Sequence, residues 1–188
     1  RGERLVGEVH ALKHVRSAHD SIASIVAPSG ALLQTIKAVA GTPGGIDLVA
    51  PEDGVYGIAV TSGSSKGRLV LNTRNVCLAG PKMQLVGNQT RAYILPKAGA
   101  DLIELSVRTD APGEHVEVTF RSPDGAVVFS GNTRDVGTVR LRGETKGDGK
   151  PWILELTNAI EDIYIELGDF CEPRLATHPD RLLKAVQP

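Results

Sequence analysis

Along this chain of 188 residues, apolar and polar positions alternate in short runs that end in Gly- and Pro-containing turns. Leu5 to Leu12 alternates as a half-buried strand does, and Ser21 to Ala27 is β-branched. Pro28-Ser29-Gly30 is a turn sequence, because Pro fixes φ and Gly supplies a positive one, and Ala31 to Ile36 is its returning strand. Ile46 to Val49 and Val55 to Val60 follow, each preceded by a turn. Ser62 to Gly67 reads as a hairpin into Arg68 to Asn72. The second half runs through Tyr93 to Pro96, Leu102 to Val107, Val116 to Phe120, Ala126 to Phe129, an edge-type strand at Val139 to Leu141, Trp152 to Leu156 and Ile163 to Leu167. Strands about ten residues apart with turn signals between them predict antiparallel sandwiches. His178 to Val186 alone has a helical spacing, so little helix is expected.

The two halves resemble each other. Trp152-Ile153-Leu154-Glu155-Leu156-Thr157-Asn158 lies ninety-six residues after its weaker copy, Tyr56 to Ser62. Pro123-Asp124-Gly125 lies ninety-five after Pro28-Ser29-Gly30. A near-constant offset of this kind predicts duplication. The expected architecture is all-β: two tandem, internally repeated antiparallel β-sandwich lobes of jelly-roll-like form, at 1–88 and 89–188, the second carrying a C-terminal tail. Tyr56 and Trp152 would anchor equivalent central strands.

Composition narrows the classes. Charged residues at 23% and hydrophobic ones at 41% describe a globular chain with a core. With a formal net charge of −1 there is no basic field for a polyanion, so nucleic acid is not an expected partner. No apolar run is long enough to span a membrane. Arg1-Gly2-Glu3-Arg4 precedes only scattered apolar residues and does not read as a signal peptide. A mature form, or a piece from inside a longer chain, would look the same.

Val118 to Val128, Trp152 to Leu156, Asp162 to Leu167 and Pro173 to Leu183 together resemble β-sandwich accessory modules of secreted bacterial proteins, carbohydrate-binding-like modules among them. The entry through Tyr93-Ile94-Leu95-Pro96-Lys97-Ala98-Gly99 resembles the aromatic-x-x-Pro-x-Gly approach of such modules, with Ile94 where a second aromatic is usual. Ala27-Pro28-Ser29-Gly30 and Asp53-Gly54-Val55-Tyr56 are similar, more loosely, to pre-peptidase C-terminal domains. These are turn and core signatures, and they specify a fold better than a function. The resemblance implies secretion, an extracellular setting and a neighbouring catalytic domain in the same polypeptide.

Candidate chemistry is thin. His10, His14 and His19 could share a metal only on a helix or tight loop, since two strand residues four apart stand roughly 13 Å from each other at about 3.3 Å per residue. Glu52, Asp53, Asp148, Glu161 and Asp162 sit in turns, where a structural calcium is conceivable and solvated acids are the simpler reading; no other cofactor is expected. Nucleophile-elbow and phosphate-loop motifs are absent, and no carboxylate pair is singled out, so catalysis has no visible carrier. Cys77 and Cys171 fall at the repeat offset, which makes them either a disulfide across the lobes or two buried thiols. Sugar binding needs aromatic faces bordered by polar groups. The candidates are Trp152, Tyr93 and Tyr164 with Asn72, Arg74, Asn132 and Arg134, Trp152 being read equally as core. The expected function is a non-catalytic carbohydrate-binding accessory module of a secreted polysaccharide-active protein. A spacer or docking module without a ligand is the alternative.

Overall fold

The computed structural model describes residues 1–13, 19–63, 65–86 and 90–183. Antiparallel strands make up nearly all of its regular structure, and the chain forms two compact units, Arg1–Arg74 and Asn75–Leu183. That division falls earlier than the boundary expected after Asn88, because Lys82–Val86 hydrogen-bonds to Asp162–Leu167 of the second unit.

The first unit has six strands: β1 (Arg4–Leu12), β2 (Ser21–Val26), β3 (Leu32–Ala38), β4 (Gly44–Val49), β5 (Gly57–Thr61) and β6 (Lys66–Leu71). They form two three-stranded sheets, ordered β4-β1-β6 and β3-β2-β5. Alternation sends Val9 and Ala11 of β1, Ala23 and Ile25 of β2, and Ile36 and Ala38 of β3 into one core with Ile46. Ser62 to Gly67 is not a hairpin. β5 pairs with β2 and β6 with β1, so this segment crosses from one sheet to the other. Tyr56 precedes an edge strand rather than a central one. Its hydroxyl donates to the Glu52 carbonyl at 2.7 Å and accepts from the Glu52 N–H at 3.1 Å.

In the second unit, a two-residue strand, β7 (Leu78–Ala79), is followed by β8 (Lys82–Val86), β9 (Thr90–Ile94), β10 (Leu102–Arg108), β11 (His115–Arg121), β12 (Val127–Asn132), β13 (Thr138–Glu144), β14 (Trp152–Ile160), β15 (Asp162–Leu167) and β16 (Arg174–Leu175). Two four-stranded sheets, β13-β10-β15-β8 and β12-β11-β14-β9, enclose the core, while β16 pairs with β7. Successive strands from β8 to β15 change sheet at every connection except the β11–β12 hairpin, which is the strand order of a jelly roll. β13 is an edge strand, as its sequence predicts. Phe120, Leu141, Leu154, Leu156 and Ile163 are fully buried between the sheets. Of the expected tail helix, the described part is one 3-10 turn at Pro179–Arg181, and the remainder, 184–186, lies outside the described residues.

The two units share pairings as well as strand type. β1 lies between β4 and β6 as β10 lies between β13 and β15, and β2 lies between β3 and β5 as β11 lies between β12 and β14. Even an irregularity recurs. Ile25 pairs with Gln34 and Val26 with Leu32, while Phe120 pairs with Phe129 and Arg121 with Val127. Each hairpin turns through Pro-x-Gly with the glycine at φ 88, at Gly30 and Gly125. A side chain at that left-handed position would be strained. The Gly30 N–H donates to the Ala27 carbonyl and the Gly125 N–H to the Ser122 carbonyl, both at 2.9 Å.

Candidate functional site

The sheet β13-β10-β15-β8 buries one face and offers the other to solvent. Ile103, Leu105 and Val107 of β10, Ile163, Ile165 and Leu167 of β15, and Met83 of β8 point into the core. A side-chain period of two then forces Ser106 and Arg108, Tyr164 and Glu166, and Lys82 and Gln84 outward. Register sets them in rows. Arg108 pairs with Tyr164 and Tyr164 with Gln84, while Ser106 pairs with Glu166 and Glu166 with Lys82. Together these six side chains line a shallow cleft of about 240 Å³.

The cleft is ordered by its own polar contacts. The Arg108 guanidinium lies 4.5 Å from the centroid of the Tyr164 ring, a cation–π distance, and also forms an ion pair with Asp110. Gln84 Nε2 donates to the Tyr164 hydroxyl at 3.3 Å. Lys82 Nζ is 2.9 Å from Glu166 Oε1. Amide, hydroxyl, carboxylate, guanidinium and ammonium groups thus surround one aromatic ring. This set can donate and accept hydrogen bonds to a polyhydroxylated ligand and cover one apolar ring face.

The outer face of the opposite sheet carries a different constellation. Glu155 on β14 stands between Arg91 on β9 and Arg121 on β11, and Arg121 Nε donates to Glu155 Oε2 at 2.8 Å. Arg91 Nε donates to Glu155 Oε1 at 2.9 Å. Hydrogen bonds from Arg121 first, and Arg91 second, hold this carboxyl below the usual range. All three groups satisfy one another, so the arrangement reads as a cross-strand brace.

The structure separates the sequence candidates. Trp152 is corrected as a sugar platform: it is 3% exposed and stacked on Phe120, with ring centroids 5.0 Å apart. As the first residue of β14, opposite Ile94 of β9, it falls on the inward face. Gly143 of β13 makes room for the indole, since a Cβ there would overlap it. Tyr93 is half-buried on β9 beside a satellite cluster of Leu95, Ala176 and Leu182, its ring 6.5 Å from that of His178, and it does not line the cleft. Asn72 spends its side chain inside the first unit, accepting from the Val6 N–H and donating to the Arg4 carbonyl. Arg74 is exposed in that unit. Asn132 and Arg134 do meet, the Asn132 Oδ1 accepting from the Arg134 N–H at 2.9 Å, and Arg134 Nη2 lies 2.9 Å from His115 Nε2.

Of the expected residues, Tyr164 alone enters the cleft. Arg108, Gln84, Ser106, Glu166 and Lys82 were not anticipated. Their outward alternation was visible, but which strands lie side by side was not.

Other expectations also resolve. His10 Nε2 is 3.0 Å from Glu8 Oε2, and His14 lies outside the described residues, as do 87–89 ahead of β9. No group of three metal-binding side chains occurs among the described residues. Glu52 accepts from the Ser29 hydroxyl at 2.6 Å, Asp53 pairs with the N-terminus and Asp148 with Lys150. The cysteines are unbridged, and they do not occupy matching positions of two lobes, because both belong to the second unit. Cys77 sits at the satellite cluster and Cys171 in the main core, where its thiol donates to the Glu104 carbonyl at 3.1 Å.

No protein-family model, curated protein or solved structure matches the chain, so its fold and the cleft on β8, β10 and β15 are what its function is argued from.

Proposed function

We propose that this protein is a non-catalytic carbohydrate-binding accessory module of a secreted bacterial polysaccharide-active protein. The observation that carries the reading is the cleft on the outer sheet face of the second unit, with Tyr164 bordered by Arg108, Gln84, Ser106 and Glu166. At about 240 Å³ it is smaller than the roughly 300–1,000 Å³ of sites for drug-sized ligands, so it would take one sugar ring of a longer chain. The Tyr164 ring supplies the apolar contact, Gln84 and Ser106 the neutral hydrogen bonds, and Arg108 and Glu166 the charged ones. An extracellular setting and a neighbouring catalytic domain in the same polypeptide belong to this proposal. So does duplication: the shared strand order and the matching Pro-x-Gly hairpins support reading the two units as copies of one body.

One observation favours the alternative of a spacer or docking module without a ligand: the cleft's charges are already paired, Arg108 with Asp110 and Lys82 with Glu166. Affinity electrophoresis through gels containing intact polysaccharides separates the two readings. Retardation by at least one polymer is expected, and Tyr164→Ala and Gln84→Ala each abolish it while circular dichroism stays unchanged. A folded sample that no polymer retards leaves the spacer reading standing. Retardation that survives Tyr164→Ala places binding elsewhere.

A further inference from the structure

Strand order leaves one flank of the first unit open. Among the described residues, β5 pairs only with β2 and β6 only with β1, whereas β14 and β15, which hold the same places in the second unit, are closed by β9 and β8. The register makes the comparison residue by residue. Ile58 lies opposite Ile25 as Leu154 lies opposite Phe120, and Leu69 lies opposite Val9 as Ile165 lies opposite Val107. Their burial differs: Ile58, Val60, Leu69 and Leu71 are only half-buried. Leu154, Leu156, Ile165 and Leu167 are 0%, 0%, 1% and 6% exposed. In the second unit the side chains along that flank are Met83 of β8 and Ala92 and Ile94 of β9. The first unit has no described strand to provide them.

An open edge with apolar side chains behind it is a template for strand addition. β5, Gly57-Ile58-Ala59-Val60-Thr61, has neither the charge nor the proline that commonly blocks such an edge. We propose that this flank docks a two-strand polypeptide segment from outside residues 1–188, one strand adding to β5 and the other to β6, each apolar at alternate positions. The second unit shows the chemistry of that segment. Lys82–Val86 and Thr90–Ile94 run consecutively, one closing each sheet. The inference stands on strand order and burial, and it holds or fails independently of sugar binding.

Amide hydrogen exchange on the whole chain tests it, alone and with a synthetic peptide of the sequence 81–95 as the probe. In the chain alone, the amides of β5 and β6 are expected to exchange at least about tenfold faster than those of β14 and β15. Saturating peptide is expected to slow β5 and β6 by about tenfold or more while leaving β3 and β4 unchanged. A peptide carrying Met83→Asp, Leu85→Asp, Ala92→Asp and Ile94→Asp gives no protection. The proposal is overturned if β5 and β6 match β14 and β15 without peptide, or if their protection rises with chain concentration and a dimer sediments. It is equally overturned if the peptide protects nothing or the Asp peptide protects as well.

Discussion

Gly143→Ala tests whether the second unit's core is packed as tightly as the structure shows. Gly143 lies opposite Ile103 in the β10–β13 pair, and its backbone is not in the left-handed region, so alanine meets no conformational penalty there. In open space the substitution would stabilise by about 0.4–1 kcal/mol, because the unfolded chain loses freedom. Here the new Cβ falls on the Cη2 and Cζ3 atoms of Trp152, which is 3% exposed and stacked at 24° on Phe120. Neither ring can retreat without disturbing the other. Overpacking of this kind costs about 1–3 kcal/mol, so the net effect is a destabilisation of about 1–2 kcal/mol. Trp152→Phe destabilises too, but it removes the overlapping atoms. In that background Gly143→Ala becomes close to neutral, a coupling of about 1 kcal/mol or more. Urea unfolding followed by far-UV circular dichroism measures all four chains, since fluorescence is lost with the chain's one Trp. Where the two units unfold in separate steps, the one that does not respond is an internal control. An alanine chain as stable as the parent, or a cost unchanged by Trp152→Phe, refutes the packing argument.

Other expectations concern charge and thiols. Glu155, 18% exposed in its side chain and held below the usual range by Arg121 and Arg91, contributes stability that is present above its unfolded value of about 4.3 and lost as pH falls through its lower folded value. Glu155→Gln is therefore expected to cost about 1 kcal/mol at pH 7, and the two stability curves to converge in acid below about pH 4; a constant gap down to pH 2 contradicts the brace. Burial pushes the Cys171 thiol up, whereas Cys77 is only half-buried. A thiol reagent is expected to modify Cys77 first in the folded chain and both residues after denaturation, as peptide mapping would show. One disulfide and no reactive thiol after denaturation would contradict the unbridged state.

The linear order of elements was legible in the chain because a strand's exposure pattern is local. Alternation located β1, β2, β10, β11, β14 and β15 within a few residues, and Pro28-Ser29-Gly30 and Pro123-Asp124-Gly125 located two hairpins, since a turn's φ angles are set by the residues within it. Lys82–Val86 was missed although Met83 and Leu85 alternate, for five residues carry little periodic signal. Partnership was not legible. Whether Ser62 to Gly67 joins neighbours in one sheet or crosses between two depends on which strands β5 and β6 find, and those lie far away in the chain. Likewise, Trp152 as the lone tryptophan invited a binding role, and only its inward register opposite Ile94 made it core. The cleft is the same case: the sequence determined that Arg108, Tyr164 and Gln84 face outward, but pairing across β10, β15 and β8 alone decided that they stand in one row.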